Sequence, residues 1–163
     1  MPDGAELAQF SGADLYFPTG ITRERVRAEL RFDGPRAEAG IDVPTWVATI
    51  TPRLQNLMML RSNWNSYGAR TIQFSSLEAA IELLSRIMRP NTPPPIIMPT
   101  SDGSLQLEWH EKGLDLEVRI HGRSRCYVSV EDLRNPGRDW EGTITSNLAR
   151  VKSAINELTD RSD

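Results

Sequence analysis

The chain has one cysteine, Cys126, and two histidines, His110 and His121, among 163 residues. A single thiol excludes an intramolecular disulfide framework and a cysteine-rich zinc site. Two histidines are too few for most transition-metal centres without carboxylate help, and their spacing matches no zinc motif. No stretch approaches the ~20 apolar residues of a membrane span. Long charge runs of one sign are also lacking. Formal net charge is -3 with both signs interleaved, which argues against general nucleic-acid binding, because that needs a concentrated basic surface. The opening Met1-Pro2-Asp3-Gly4-Ala5-Glu6 has neither the basic start nor the apolar core of a secretory leader. The cytoplasm is therefore the expected compartment. Ser66-Tyr67-Gly68 and Ser101-Asp102-Gly103-Ser104 contain glycine but lack the spacing of a phosphate-binding loop. No cofactor or metal site is expected.

What is present is a strong period of two over residues 105–130. Leu105, Leu107 and Trp109 alternate with Gln106, Glu108 and His110. Leu114, Leu116, Val118 and Ile120 alternate with Asp115, Glu117, Arg119 and His121. Cys126, Val128 and Val130 repeat the pattern. Alternation of this kind marks half-buried strands. A two-residue turn at Lys112-Gly113 sets Trp109 opposite Leu116, Leu107 opposite Val118 and Leu105 opposite Ile120. The same register sets Glu108 opposite Glu117, Gln106 opposite Arg119 and His110 opposite Asp115. A one-residue slip would oppose apolar to polar throughout. A loop at Gly122-Arg123-Ser124 puts Ile120 opposite Cys126. The proline-rich lead-in, Pro93 to Pro99, predicts an edge strand, because proline donates nothing to a ladder.

Helical spacing appears three times. Thr51-Pro52 reads as an N-cap followed by proline at the first helical position, with Leu54, Leu57 and Met58 behind it; Pro44 and Trp46 would then belong to an earlier turn or helix. Ser75 and Glu78 form a capping-box pattern ahead of Leu77, Ala80, Ile81, Leu84, Ile87 and Met88, and Pro90 stops that helix. Leu148, Val151, Ile155 and Leu158 predict a last helix from about Thr145 or Ser146, with Asp160 to Asp163 as a frayed tail. The expected fold is α+β: an antiparallel meander of three to four strands with two to four helices on its apolar face. Residues 44–160 form that single domain. Residues 1–43 read as a poorly defined arm, interrupted by five glycines. Within it, Thr22–Phe32 suits a helix or Ala28–Phe32 a strand.

Candidate chemistry is sparse. Glu108 and Glu117 are facing carboxylates, with His110 two positions away, and an acid–base pair is conceivable there. Exposed sheets routinely carry such residues, so a solvated or partner-docking face is the simpler reading. Cys126 lies in phase with the apolar face and reads as a small buried hydrophobe. Arg23, Arg25, Arg27 and Arg31 interleave with Glu24 and Glu29, which favours a solvated face over an anion site. Asn63-Trp64-Asn65-Ser66-Tyr67-Gly68-Ala69 is the most unusual string. Trp64 and Tyr67 stand between two helices where polar residues would suffice. Either Trp64 seals the core while Asn63 and Asn65 cap backbone groups, or the aromatics form a recognition surface.

That string, followed by a helix, Pro94-Ile96-Met98-Pro99, Asp102-Gly103 and Leu107-Glu108-Trp109, resembles a group of small bacterial proteins of unknown function. Their pattern is Asn-Trp-Asp-x-x-Gly-Ala, a proline-rich strand, Asp-Gly and Leu-Glu-Trp. The likeness covers roughly residues 60–121, and this chain has Asn65 where the pattern often has Asp. The resemblance implies a bacterial cytoplasmic protein and carries no activity. With no catalytic constellation in view, the functional expectation is a non-enzymatic interaction or accessory subunit, antitoxin- or immunity-like. Its partner-binding candidates are Trp64, Tyr67, Glu108, His110, Glu117, Arg119, Arg23 and Arg27. The alternatives are a small enzyme using Glu108, Glu117 and His110, or a nucleic-acid-associated subunit using the N-terminal arginines.

Overall fold

The alternating segments become a five-stranded antiparallel sheet in the computed structural model, which describes residues 43–162. Its strands are β1 (Ile96–Pro99), β2 (Leu105–Glu111), β3 (Leu114–Ile120), β4 (Cys126–Asp132) and β5 (Trp140–Thr143), each paired with the next in sequence. The helices are α1 (Thr45–Met58), α2 (Phe74–Ile87) and α3 (Ile144–Asp160). The α+β class therefore stands. Among the described residues no helix is long and apolar enough to cross a membrane. Candidates Arg23 and Arg27, and all of the arm over residues 1–43 except Val43, lie outside the described residues.

The central register follows the hydrophobic pattern residue for residue. Trp109 pairs with Leu116, Leu107 with Val118 and Leu105 with Ile120, and Ile120 pairs with Cys126 and Val118 with Val128. Leu105, Leu107, Trp109, Leu116, Val118 and Ile120 are all buried. The Lys112–Gly113 turn has φ of 53° and 71°, the left-handed pair that a two-residue hairpin requires. Among the described residues, helices pack on one side only. α1 lies against β1, α2 against β2 and β3, and α3 against β4, β5 and α2. β1 is an edge strand as its prolines demand, and Arg53 of α1 donates from Nε to the Ile97 carbonyl at 2.8 Å. That bond occupies an acceptor that an edge would otherwise offer to another chain.

Four expectations need correction. The sheet has five strands, not three or four; β5 is only four residues long and contains Gly142, so no alternation announces it. The first helix begins at Thr45 with Pro44 as its cap, and Pro52 sits inside it. Thr51 is not an N-cap: its hydroxyl donates back to the Val47 carbonyl at 2.7 Å. Trp46, Ile50, Leu54 and Leu57 are buried along one stripe, and this packing outweighs the hydrogen bond that proline cannot make. The second helix is capped at Gln73 without a side-chain bond, so Ser75 and Glu78 form no capping box. Finally, the expected frayed tail starts later than Arg161: Asp160 is still in α3, Arg161 is held, and Asp163 lies outside the described residues. Arg161 is 10% exposed at its side chain and Asp132, its partner at 2.6 Å, only 3%.

Candidate functional site

Helices cover one face of the sheet; the other face carries the polar residues of β2 to β4 and Glu141 and Thr143 of β5, with Ile96 and Met98 of β1 at its edge. Cross-strand pairing arranges it in rows. One row runs Glu108, Glu117, Ser129, Glu141, and the next Gln106, Arg119, Tyr127, Thr143. Over β3 to β5 the surface dips into an open groove of about 780 Å³, lined by Glu117, Arg119, His121, Tyr127, Glu131 and Glu141 among others.

The facing carboxylates Glu108 and Glu117 are each engaged by other groups. Gln106 Nε2 donates to Glu108 Oε1, and Arg119 Nε donates to Glu117 Oε1 at 2.5 Å. His110 lies between two carboxylates, with Nε2 3.0 Å from Glu108 Oε2 and Nδ1 3.1 Å from Asp115 Oδ1. Only the imidazolium can donate to both at once. The hydrogen bonds to Glu108 and then Asp115 accordingly raise the His110 pKa above its ordinary value. A raised folded-state pKa means the contact stabilises fully below the unfolded value near 6.5 and fades as pH climbs through the folded one. The ring is half exposed, so the effect on stability is small. An NMR titration of His110 is expected to give a midpoint above about 6.5, returning to it when Glu108→Gln and Asp115→Asn are combined. A wild-type midpoint at or below 6.5 would reject the bridging geometry.

The second candidate region is the loop between α1 and α2, and here the two readings of its aromatics separate. Asn63 Oδ1 accepts from the Gly68 amide at 2.7 Å, and Asn65 Oδ1 accepts from the amides of Tyr67 (2.9 Å) and Ala69 (3.2 Å). Asn65 Nδ2 donates to Ser101 Oγ at 3.2 Å, a bond that an aspartate could make only by accepting. Asn63, Ser66 and Gly68 all have positive φ. Trp64 is half-buried and donates from Nε1 to the Arg70 carbonyl. Tyr67 points outward with 91% exposure. The two asparagines and Trp64 hold the loop in shape, while the Tyr67 side chain makes no hydrogen bond among the described residues.

This loop is fastened to the sheet's end. The Arg70 amide donates to the Ser101 carbonyl and the Gln73 amide to the Gly103 carbonyl, at 2.9 and 2.8 Å. Gly103 has φ of 85°, and a Cβ there would run into the Thr71 carbonyl oxygen; both facts require glycine. Beside it, Asp102 accepts from the Ser104 and Thr100 hydroxyls, which hold its carboxyl far below the usual range. Its other oxygen meets His121 Nδ1 at 3.1 Å.

Cys126 is on the covered side, half-buried. Its thiol donates to the Gly122 carbonyl at 3.1 Å, and burial pushes its pKa up, which disfavours the nucleophilic thiolate. Among the described residues no three His, Cys, Asp or Glu side chains are grouped to hold a metal ion.

The structure thus joins Glu108 with His110, and Glu117 with Arg119, on one open face. It places Trp64 and Tyr67 at the sheet end that carries the β1–β2 turn. Sequence reasoning missed Asp132, Arg138, Trp140, Arg150 and Arg161, which gather at the opposite end. One signal was available: Asp132 continues the inward phase of Val128 and Val130. No protein-family model, curated protein or solved structure matches this chain.

Proposed function

We propose that this chain is a non-enzymatic bacterial interaction protein of the cytoplasm, an accessory, antitoxin-like or immunity-like subunit whose partner is another protein. The observation that carries this reading is Tyr67: a large aromatic, 91% exposed, on a loop braced from both sides by asparagine side chains. A rigid aromatic loses little conformational freedom on binding, which is why such residues dominate interface energies. The polar sheet face, which no described helix covers, is the second contact surface. The facing carboxylates Glu108 and Glu117 are already paired with Gln106, His110 and Arg119, an arrangement that suits a docking face better than a reacting centre.

Tyr67→Ala is the test. The substitution touches no contact in the fold, so the thermal midpoint is expected to match wild type, within about 0.5 kcal/mol. Affinity for the partner recovered from the host with wild-type protein is expected to fall at least about thirtyfold, the effect of losing an interface residue worth about 2 kcal/mol or more. Unchanged affinity would remove Tyr67 from the interface. A small-molecule turnover that depends on Glu108 and His110 would replace the binding reading with the enzymatic one.

A further inference from the structure

At the end of the sheet away from Tyr67, between β4, β5 and α3, lies a cleft of about 390 Å³. This is within the range of small-molecule sites, about 300–1,000 Å³. It lies on the helix-covered side and is separate from the partner surface proposed above. Its floor is apolar: Leu114, Val130 and Ala154, each buried. Its rim carries Trp140, Arg138 and Arg150.

One guanidinium of this cleft has no ion pair among the described residues. Arg138 is held by Glu157 in a two-point contact at 3.0 and 2.9 Å. Arg161 lies behind, against Asp132 and Glu157 at 2.6 and 2.8 Å. The lining has two guanidinium groups, Arg138 and Arg150, and two carboxylates, Asp132 and Glu157, and both carboxylates are taken by Arg138 and Arg161. Arg150 is the one left over: it has no carboxylate among the described residues, and its guanidinium carbon lies 4.2 Å from the Trp140 ring centroid. Stacking uses the face of a guanidinium and leaves its edge donors free, and those donors match the two oxygens of a carboxylate. The cation is thus oriented by the indole rather than by an anion.

We propose that this cleft binds a small aromatic carboxylate, its flat apolar body on Leu114, Val130 and Ala154 and its carboxylate on the edge of Arg150. Arg138, already engaged by Glu157, shapes the rim. The site discriminates by charge as well as by shape, because a neutral ligand leaves Arg150 without its anion.

The test uses the full chain with 2-naphthoate as probe and 2-naphthamide as its uncharged counterpart. The protein has four tryptophans, so the indole N–H region of a proton–nitrogen correlation spectrum resolves Trp140, assigned through Trp140→Phe. 2-Naphthoate is expected to shift the Trp140 signal saturably, and 2-naphthamide to bind at least tenfold more weakly. Arg150→Gln keeps the fold, since the side chain is exposed, and is expected to weaken naphthoate at least tenfold; Arg150→Lys, which keeps the charge without the planar fork, falls between. No saturable shift of Trp140, equal affinity for acid and amide, or an unchanged affinity in a folded Arg150→Gln protein would each overturn the proposal.

Discussion

Trp109→Ala is expected to lower stability by about 3–5 kcal/mol, the cost of truncating a large buried aromatic. Trp109 is 1% exposed in the middle of the covered face, opposite Leu116. Its loss opens a cavity between β2, β3 and the helices above them. It also removes a hydrogen bond, because Trp109 Nε1 donates to the Pro93 carbonyl at 2.9 Å and so ties the proline-rich lead-in to the core. Domains of this kind have only about 5–15 kcal/mol of total stability, so the variant sits near the limit of folding. Urea denaturation reads the effect: a midpoint more than about 1 M below wild type is expected for a urea slope of about 1–3 kcal/mol/M. Trp109→Phe separates the two contributions, since it keeps most of the packing and orphans the Pro93 carbonyl. A Trp109→Ala midpoint equal to wild type would contradict the register itself.

The second large effect is expected at Asp132. This carboxylate is 3% exposed, and its two oxygens serve five donors. The amides of Arg134 and Asn135 reach it at 3.1 and 3.2 Å, and the Asn135 side-chain amide at 3.5 Å. Arg161 reaches it at 2.6 Å and Arg138 at 3.4 Å. Arg161 in turn donates to the Gly113 carbonyl at 3.2 Å and to Glu157, so one guanidinium joins the β2–β3 turn, the end of β4 and α3. Asp132→Ala strips the anion from that cation and two caps from the following turn. About 3 kcal/mol is expected, the lower end for a broken buried pair because Glu157 stays beside Arg161. Asp132→Asn is milder, as it still accepts from the turn amides. The pH profile gives an independent check. The Arg161 hydrogen bond chiefly lowers the Asp132 pKa below its ordinary 3.8. Its contribution is therefore complete above the unfolded value and is lost as pH falls through the folded one. Wild type is expected to lose stability more steeply than Asp132→Asn as pH drops below about 4. Parallel curves for the two proteins would show that Asp132 carries no ion-pair stability.

These two sites also mark how far the sequence could be read. Trp109 and its whole register were legible because a period of two has only one phase that buries Leu105, Leu107 and Trp109 together. Asp132 occupies that same inward phase, yet carboxylates are usually outside. Only the arrival of Arg161, twenty-nine positions later, explains it, and no local pattern announces a pairing of that range. Pro52 misled for the opposite reason. Thr-Pro is a sound local start signal, and the tertiary burial of Trp46 and Ile50 overrode it. The asparagine-rich loop was legible as structured, but its two aromatics were not separable: whether Trp64 or Tyr67 turns inward depends on positive φ at Asn63 and Ser66. The cleft beside Trp140 was hidden because β5 itself was.

The sequential strand order also has a kinetic consequence. Every neighbouring pair is closed by a connection of two to seven residues. Short connections of this kind exact little chain entropy before their contacts form. The tie between Arg53 and Ile97 spans 44 positions and must wait for a much longer excursion to close. The Lys112–Gly113 hairpin is thus the strand pairing of the described sheet with the shortest loop to close, and pairing can spread from it one strand at a time in both directions. α1 is expected to join late, onto an edge that the rest of the sheet has already built.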